Sequence, residues 1–183
     1  MNPRSCRWPG LVLLVAILAA CAAPASEDSP SLLPRSSAAA LDDALLAIEL
    51  EDVRTGETFT LGELAADGPV IVETMAIWCT NCRSQMHEVT AAHEIADFHS
   101  VSIDVEPTEI AEDLVAYAAR EDFDWPFVLA DAQLATALRD RFGTEVLFPP
   151  GMPKLLIRSD GSVELLPLGE LLSAEQIAAA VES

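Results

Sequence analysis

Trp78-Cys79-Thr80-Asn81-Cys82-Arg83 decides how this chain is read. The stretch before it, Val70-Ile71-Val72-Glu73-Thr74-Met75-Ala76-Ile77, is mostly apolar and rich in β-branched residues, the pattern of a buried strand. The stretch after it, Cys82-Arg83-Ser84-Gln85-Met86-His87-Glu88-Val89, contains neither Gly nor Pro and continues as helix. Cys79 is thereby predicted at a helix N-terminus. Unpaired backbone N–H groups and the positive end of the helix dipole favour a thiolate there. A thiolate attacks a disulfide and a thiol does not, so the pair reads as a thiol–disulfide site. A purely structural disulfide is the plainer reading, but a Trp directly before the pair and a strand-to-helix switch around it argue for redox chemistry. Zinc would need a second ligand pair. There is no second Cys-x-x-Cys, and His87, His93 and His99, six positions apart, do not share one helix face.

The 183 residues make room for one ordinary domain. Their formal net charge is −20, and Lys154 is the single lysine. Nucleic acid and anionic lipid surfaces would be repelled, whereas a basic protein partner or a high-salt habitat fits such a charge.

Four cysteines are present: Cys6, Cys21, Cys79 and Cys82. Arg4 and Arg7 precede the apolar run Leu11-Val12-Leu13-Leu14-Val15-Ala16-Ile17-Leu18, too short for a comfortable membrane span but suited to a signal peptide. The run ends in Leu18-Ala19-Ala20-Cys21, which resembles a bacterial lipobox, a signal whose cysteine is acylated and becomes the first mature residue. On this reading residues 1–20 are a lipoprotein signal peptide, and residues 21–40 are a lipidated Cys21 with a Pro-, Ser- and Ala-rich flexible linker. Residues 41–183 are the folded domain. Cys6 would leave with the signal, Cys21 would carry lipid, and only Cys79 and Cys82 would remain as thiols. The expected location is extracytoplasmic, as a membrane-anchored bacterial lipoprotein.

Along the domain, Leu41 to Ala47 suggests a short helical turn, and Ile48–Val53 and Thr58–Leu61 a hairpin about Arg54-Thr55-Gly56-Glu57. The first core strand spans Pro69–Thr74 and the following helix Thr80–Ala96. Val101–Val105 is a strand, and a helix to Glu121 opens at Thr108-Glu109-Ile110, with Ile110, Leu114, Val115 and Ala118 at helical spacing. Trp125–Ala130 is a strand, and Asp131 caps a helix to Phe142 that Gly143 ends. Met152–Ile157 and Ser162–Leu166 form a hairpin about Ser159-Asp160-Gly161, before a last helix from Ser173 with a Ser173/Gln176 capping box. Strands alternating with helices, then a closing hairpin and helix, predict an α/β fold around a central mixed sheet with an N-terminal β-hairpin extension.

With Trp78-Cys79-x-x-Cys82, Gly151-Met152-Pro153 and Asp160-Gly161 in place, residues from about Ile48 to Ser183 resemble the thioredoxin fold. More narrowly they resemble the membrane-anchored TlpA/ResA-like thiol–disulfide oxidoreductases. The resemblance implies that Cys79 attacks, Cys82 resolves and Trp78 shapes the surface. It also implies a cis peptide at Pro153, which would expose the Met152 backbone for pairing with a substrate strand. Glu73 stands where thioredoxin has a buried acid, six residues before the first cysteine, and would accept the proton from Cys82. A solvent-facing strand-edge glutamate is the alternative. If Glu73 faces the core, its pKa is expected to rise and its removal to relieve a burial cost. Asn81 replaces the family's proline, and His87 stands where relatives often carry a helix-kinking proline, so the direction of transfer stays open.

No organic cofactor and no metal are implied. The expected partners are protein disulfides or dithiols and a membrane or extracytoplasmic redox partner, and a monomer is expected. The alternative function is a copper or haem-pathway chaperone that uses the same cysteine pair as ligand. SCO-type carriers, however, resemble a Cys-x-x-x-Cys with a late histidine, and no histidine follows His99.

Overall fold

The computed structural model describes residue 39 and residues 42–183. The expected signal segment, Cys21 and nearly all of the linker lie outside them. Residues 42–46 are helical, as the sequence suggested. Strands β1 (Glu49–Glu51) and β2 (Thr58–Thr60) pair antiparallel as the expected hairpin, with Gly56 at φ +74° in its turn. Helix α1 (Leu61–Asp67) follows directly. The expected strand Thr58–Leu61 thus ends at Thr60, and Leu61 opens a helix instead. A capping box starts it: Thr60 Oγ1 accepts the Glu63 N–H at 3.0 Å, and Glu63 Oε2 accepts the Thr60 N–H at 2.9 Å. Thr60-x-x-Glu63 was visible in the sequence.

The remaining elements are β3 (Val70–Met75), α2 (Thr80–Ala92), β4 (His99–Asp104), α3 (Ala111–Glu121), β5 (Phe127–Leu129), α4 (Ala132–Phe142), β6 (Lys154–Ile157), β7 (Val163–Leu165) and α5 (Ala174–Val181). Between α4 and β6 run two short 3-10 turns, Thr144–Leu147 and Pro149–Gly151. Helix α2 stops at Ala92, one turn before the expected end at Ala96. Ile110 is the N-cap of α3 and is exposed, so it is not part of the helix's buried stripe, which is Leu114, Tyr117 and Ala118. The other caps agree with the reading. Asp131 accepts the Leu134 N–H at 2.7 Å, Gly143 takes φ +88° after α4, and Ser173 with Gln176 boxes α5.

The main sheet has the order β5-β4-β3-β6-β7. β3, β4 and β5 are parallel, and β6 and β7 are antiparallel to their neighbours. As the middle strand, β3 is buried on both faces, which is why its sequence is nearly continuous in apolar residues rather than alternating. Ile71, Met75 and Leu156 point to the side of α2, α3 and α5. Val70, Val72, Leu155 and Ile157 point to the side of α1, α4 and residues 45–50. Each such fully buried side chain stabilises the fold by roughly 1.5–3 kcal/mol. The hairpin is fastened to β5 through Asp52, which accepts the Phe127 N–H at 3.1 Å, while the Val53 N–H donates to Phe127 O at 2.9 Å. The result is a central mixed sheet flanked by helices with an N-terminal hairpin, as expected. No described helix is long and apolar enough to cross a membrane.

Candidate functional site

The parallel strands β3 and β4 end on the same edge of the sheet, and the dithiol sits just beyond β3. The chain turns at Ala76, whose carbonyl accepts the Cys79 N–H at 3.0 Å, and α2 starts with Cys79 as its N-cap. Cys79 and Cys82 are joined in a disulfide, with Cα atoms 5.3 Å apart. The Cys82 N–H points at Cys79 Sγ, 3.2 Å away. In the reduced protein that donor and the helix dipole stabilise negative charge on Cys79. Cys82 Sγ lies 3.1 Å from the Pro149 carbonyl oxygen, an acceptor that disfavours a thiolate there and suits a protonated thiol.

Both cysteines are 3 % exposed, so residue burial does not separate them. The surroundings do differ. Cys79 lines an open groove of about 260 Å³ with Trp78, Thr80, Asn81 and Pro150, and Cys82 does not. Trp78 is 56 % exposed, and its indole N–H donates to Glu106 Oε2 at 3.1 Å. A larger cavity of about 450 Å³, with His93, Phe98 and Trp125 in its wall, has neither cysteine in its lining.

Glu73 lies in the middle of β3, 5 % exposed, on the α2 side with Ile71 and Met75. The solvent-facing alternative does not hold. Burial pushes its carboxyl up to about 8, against a partial pull downward from Lys154. Lys154 is its register partner on β6 and has no exposed surface. The Lys154 ammonium donates to Met152 O at 2.7 Å and to Glu170 O at 3.1 Å, and burial lowers its pKa while Glu73 and Glu170 draw it back up.

Met152 departs from expectation. It is buried, with φ +48°, and its main chain is engaged on both sides: the N–H donates to Pro149 O at 2.8 Å and the carbonyl accepts from Lys154. The exposed backbone expected there is absent. Pro153 is buried, and its carbonyl accepts the Thr74 N–H at 3.2 Å, which ties the segment to β3.

Several residues escaped the sequence reading. Lys154 had a signal, since a lone lysine opening the apolar run Leu155-Leu156-Ile157 has to find a partner if that strand is central. Gln85 is fully buried on α2, where its amide donates to Leu172 O at 3.1 Å and accepts the Leu172 N–H at 2.8 Å. Asp104, Glu106 and Glu109 gather beside the dithiol turn, which no local pattern announced. His87 is exposed beside Glu121, 3.6 Å away, as a surface histidine would be. Among the described residues, no group of three or more His, Cys, Asp and Glu is arranged to hold a metal ion.

No protein-family model matches the chain, and no curated protein matches it either. Solved structures do. A thiol:disulfide interchange protein of the thioredoxin family from Chlorobium tepidum TLS is 17 % identical, with a TM-score of 0.59, over 74 % of this chain and 90 % of its own. A secreted disulfide oxidoreductase of Mycobacterium tuberculosis, homologous to E. coli DsbE, is 14 % identical, with a TM-score of 0.54, over 77 % of this chain and 98 % of its own. A SCO1/SenC family lipoprotein from Bacillus anthracis str. Ames is 17 % identical, with a TM-score of 0.56, over 74 % of this chain and 90 % of its own. The fold is thus thioredoxin-like, and the cysteine pair closes at its helix N-terminus.

Proposed function

We propose that this chain is an extracytoplasmic, lipid-anchored thiol–disulfide oxidoreductase acting on protein disulfides. The observation that carries the reading is the asymmetry of the pair: Cys79 Sγ faces an N–H donor and the groove, and Cys82 Sγ faces the Pro149 carbonyl. In the reducing direction the Cys79 thiolate attacks one substrate sulfur, the substrate S–S bond breaks, and a substrate thiolate leaves. Cys82 then gives its proton to Glu73 and attacks Cys79 Sγ, which releases the second substrate thiolate. Two electrons pass to the substrate, and a redox partner restores the dithiol. The oxidising direction runs the same steps backwards. With Glu73 raised to about 8, it is the fraction ionised at and above neutral pH that takes the thiol proton, so the resolving step quickens as pH rises toward 8. Exposed Trp78 supplies apolar contact in the wall of the groove.

Reduced protein is expected to turn over a protein disulfide such as insulin's. Tight Cu(I) binding with no such turnover would instead establish the chaperone reading, which the likeness to a SCO1/SenC lipoprotein keeps in view. The potential of the pair assigns direction: about −270 mV marks a thioredoxin-like reductant and about −120 mV a DsbA-like oxidant.

The anchor rests on Leu18-Ala19-Ala20-Cys21. Cys21→Ala is expected to move the protein out of the membrane fraction or to stall its processing. Unchanged membrane association with normal maturation removes the anchor from the proposal.

A further inference from the structure

A polypeptide that docks as an added strand needs an extended residue whose N–H and C=O are both free. The residue before Pro153 offers the opposite. Met152 stands at φ +48° and ψ 54°, left-handed rather than extended, and is 7 % exposed. Its N–H donates to Pro149 O at 2.8 Å, and its carbonyl accepts from the Lys154 ammonium at 2.7 Å. A residue with a side chain keeps that conformation only where its surroundings impose it.

Lys154 imposes it. The side chain has no exposed surface and opens β6, the strand beside β3. An ammonium has three donors and no acceptor, so burial obliges it to find carbonyls. It finds Met152 O and, at 3.1 Å, Glu170 O on the connection from β7 to α5. On the same connection the Gly169 N–H donates to Gly151 O at 2.7 Å. Residues 151–152 are thus tied to residues 169–170 twice, once through a charge. Pro149 belongs to the same turn: its carbonyl accepts the Met152 N–H and lies 3.1 Å from Cys82 Sγ. Opening the turn to free the Met152 main chain would leave a buried ammonium short of an acceptor. That costs more than the neutral hydrogen bonds a docking strand would return.

We propose that Lys154 is a specificity-determining residue: its ammonium locks the Met152 main chain against strand pairing, so substrates are selected by their side chains in the groove of Trp78, Thr80, Asn81 and Pro150. The class of substrate this admits is a disulfide on a turn, on a folded surface or in a short peptide, with no demand for an extended flanking chain. The consequence for substrates rests on the proposed function, while the lock is measurable without it.

With the full chain, exchange is compared for two disulfide-bonded peptides of one sequence, one of them N-methylated on the main chain at the residues flanking its cysteine. Methylation removes the donors that strand pairing uses and keeps every side chain. Each rate is divided by that of the same peptide with dithiothreitol, which removes differences in the peptides' own reactivity. The wild type is expected to exchange the two within about twofold, whereas strand pairing would slow the methylated peptide about tenfold. Lys154→Met keeps the apolar stem, removes the donors and frees the Met152 carbonyl, so the ratio rises toward tenfold in favour of the unmethylated peptide. Loss of the charge beside Glu73 changes both rates alike and cancels in the ratio, so a merely structural role for Lys154 leaves the ratio unmoved.

A wild-type ratio nearer tenfold than twofold overturns the proposal. So does a folded Lys154→Met protein whose ratio stays at the wild-type value. If a denaturant melt shows that Lys154→Met is unfolded, the wild-type ratio decides, together with hydrogen exchange at the Met152 N–H, which is slow while the lock is closed. A wild type that exchanges neither peptide removes the oxidoreductase reading instead; slow hydrogen exchange at Met152 then still upholds the lock, and fast exchange overturns it.

Discussion

Cys82→Ser is expected to accumulate covalent mixed disulfides with its substrates, and Cys79→Ser to accumulate none, while both abolish turnover. The asymmetry follows from the two sulfur environments. Cys79 Sγ receives the Cys82 N–H at 3.2 Å at the start of a thirteen-residue helix, so its thiolate is favoured without help from a neighbouring cation. It also lines the groove that a substrate can reach. Cys82 Sγ sits against the Pro149 carbonyl, where a proton is retained until a base removes it. With serine at 82, the first attack proceeds and the second has no nucleophile, which leaves the substrate bound to Cys79. The check is a non-reducing gel with mass spectrometry of the adducts, taken from cells expressing each variant. Adducts on Cys79→Ser alone would mean that the attacking and resolving thiols are exchanged.

Stability should fall as pH rises from about 5 to beyond 8, by up to about 1.4 kcal/mol per pH unit for each of two buried acids. Both rise through burial, Glu73 from 4.5 to about 8 and Asp104 from 3.8 to about 8. Both folded-state values lie above the unfolded ones. The stabilisation is therefore complete below the ordinary carboxylate range and is lost as pH climbs through 8, because the unfolded chain releases those protons first. Lys154, held below its ordinary value, has the opposite sign and returns some stability at higher pH. Denaturant melts at pH 5, 7 and 9 measure the slope. Glu73→Gln and Asp104→Asn should each flatten it, and Glu73→Gln should be the more stable protein at pH 9. Gln is the informative replacement, because Glu73→Ala would leave Lys154, fully buried, facing a void. A wild type without this slope, or a Glu73→Gln slope as steep as wild type, would show that Glu73 is not held protonated by burial. In exchange kinetics near neutral pH, Glu73→Gln should also slow the resolving step.

How far each part was legible follows from the range of the force that sets it. The buried β3, the helix after the dithiol, the cap at Asp131 and the box at Ser173 rest on periodicity and on contacts within four residues, so they could be read along the chain. Helix α1 was just as local and was passed over because Thr58-Phe59-Thr60-Leu61 reads as strand, and its capping box carries less weight than that run. Alternation along the strand puts Glu73 on one face with Ile71 and Met75, but that this face is the core was an expectation from the family resemblance until the sheet order set β3 in the middle.

Its companion was not legible, for Lys154 stands 81 positions away and meets it only through the β3–β6 register. The same holds for Pro149 over Cys82 Sγ, for Lys154 on the Met152 carbonyl, and for Glu109 on Ile77. Sequence alone placed a reactive cysteine at the start of a helix, because a dipole and unpaired N–H groups belong to any helix. Which sulfur is covered, which backbone is occupied and which acids keep their protons were decided by tertiary structure, because desolvation and charge act through space between strands that the chain joins only at long range.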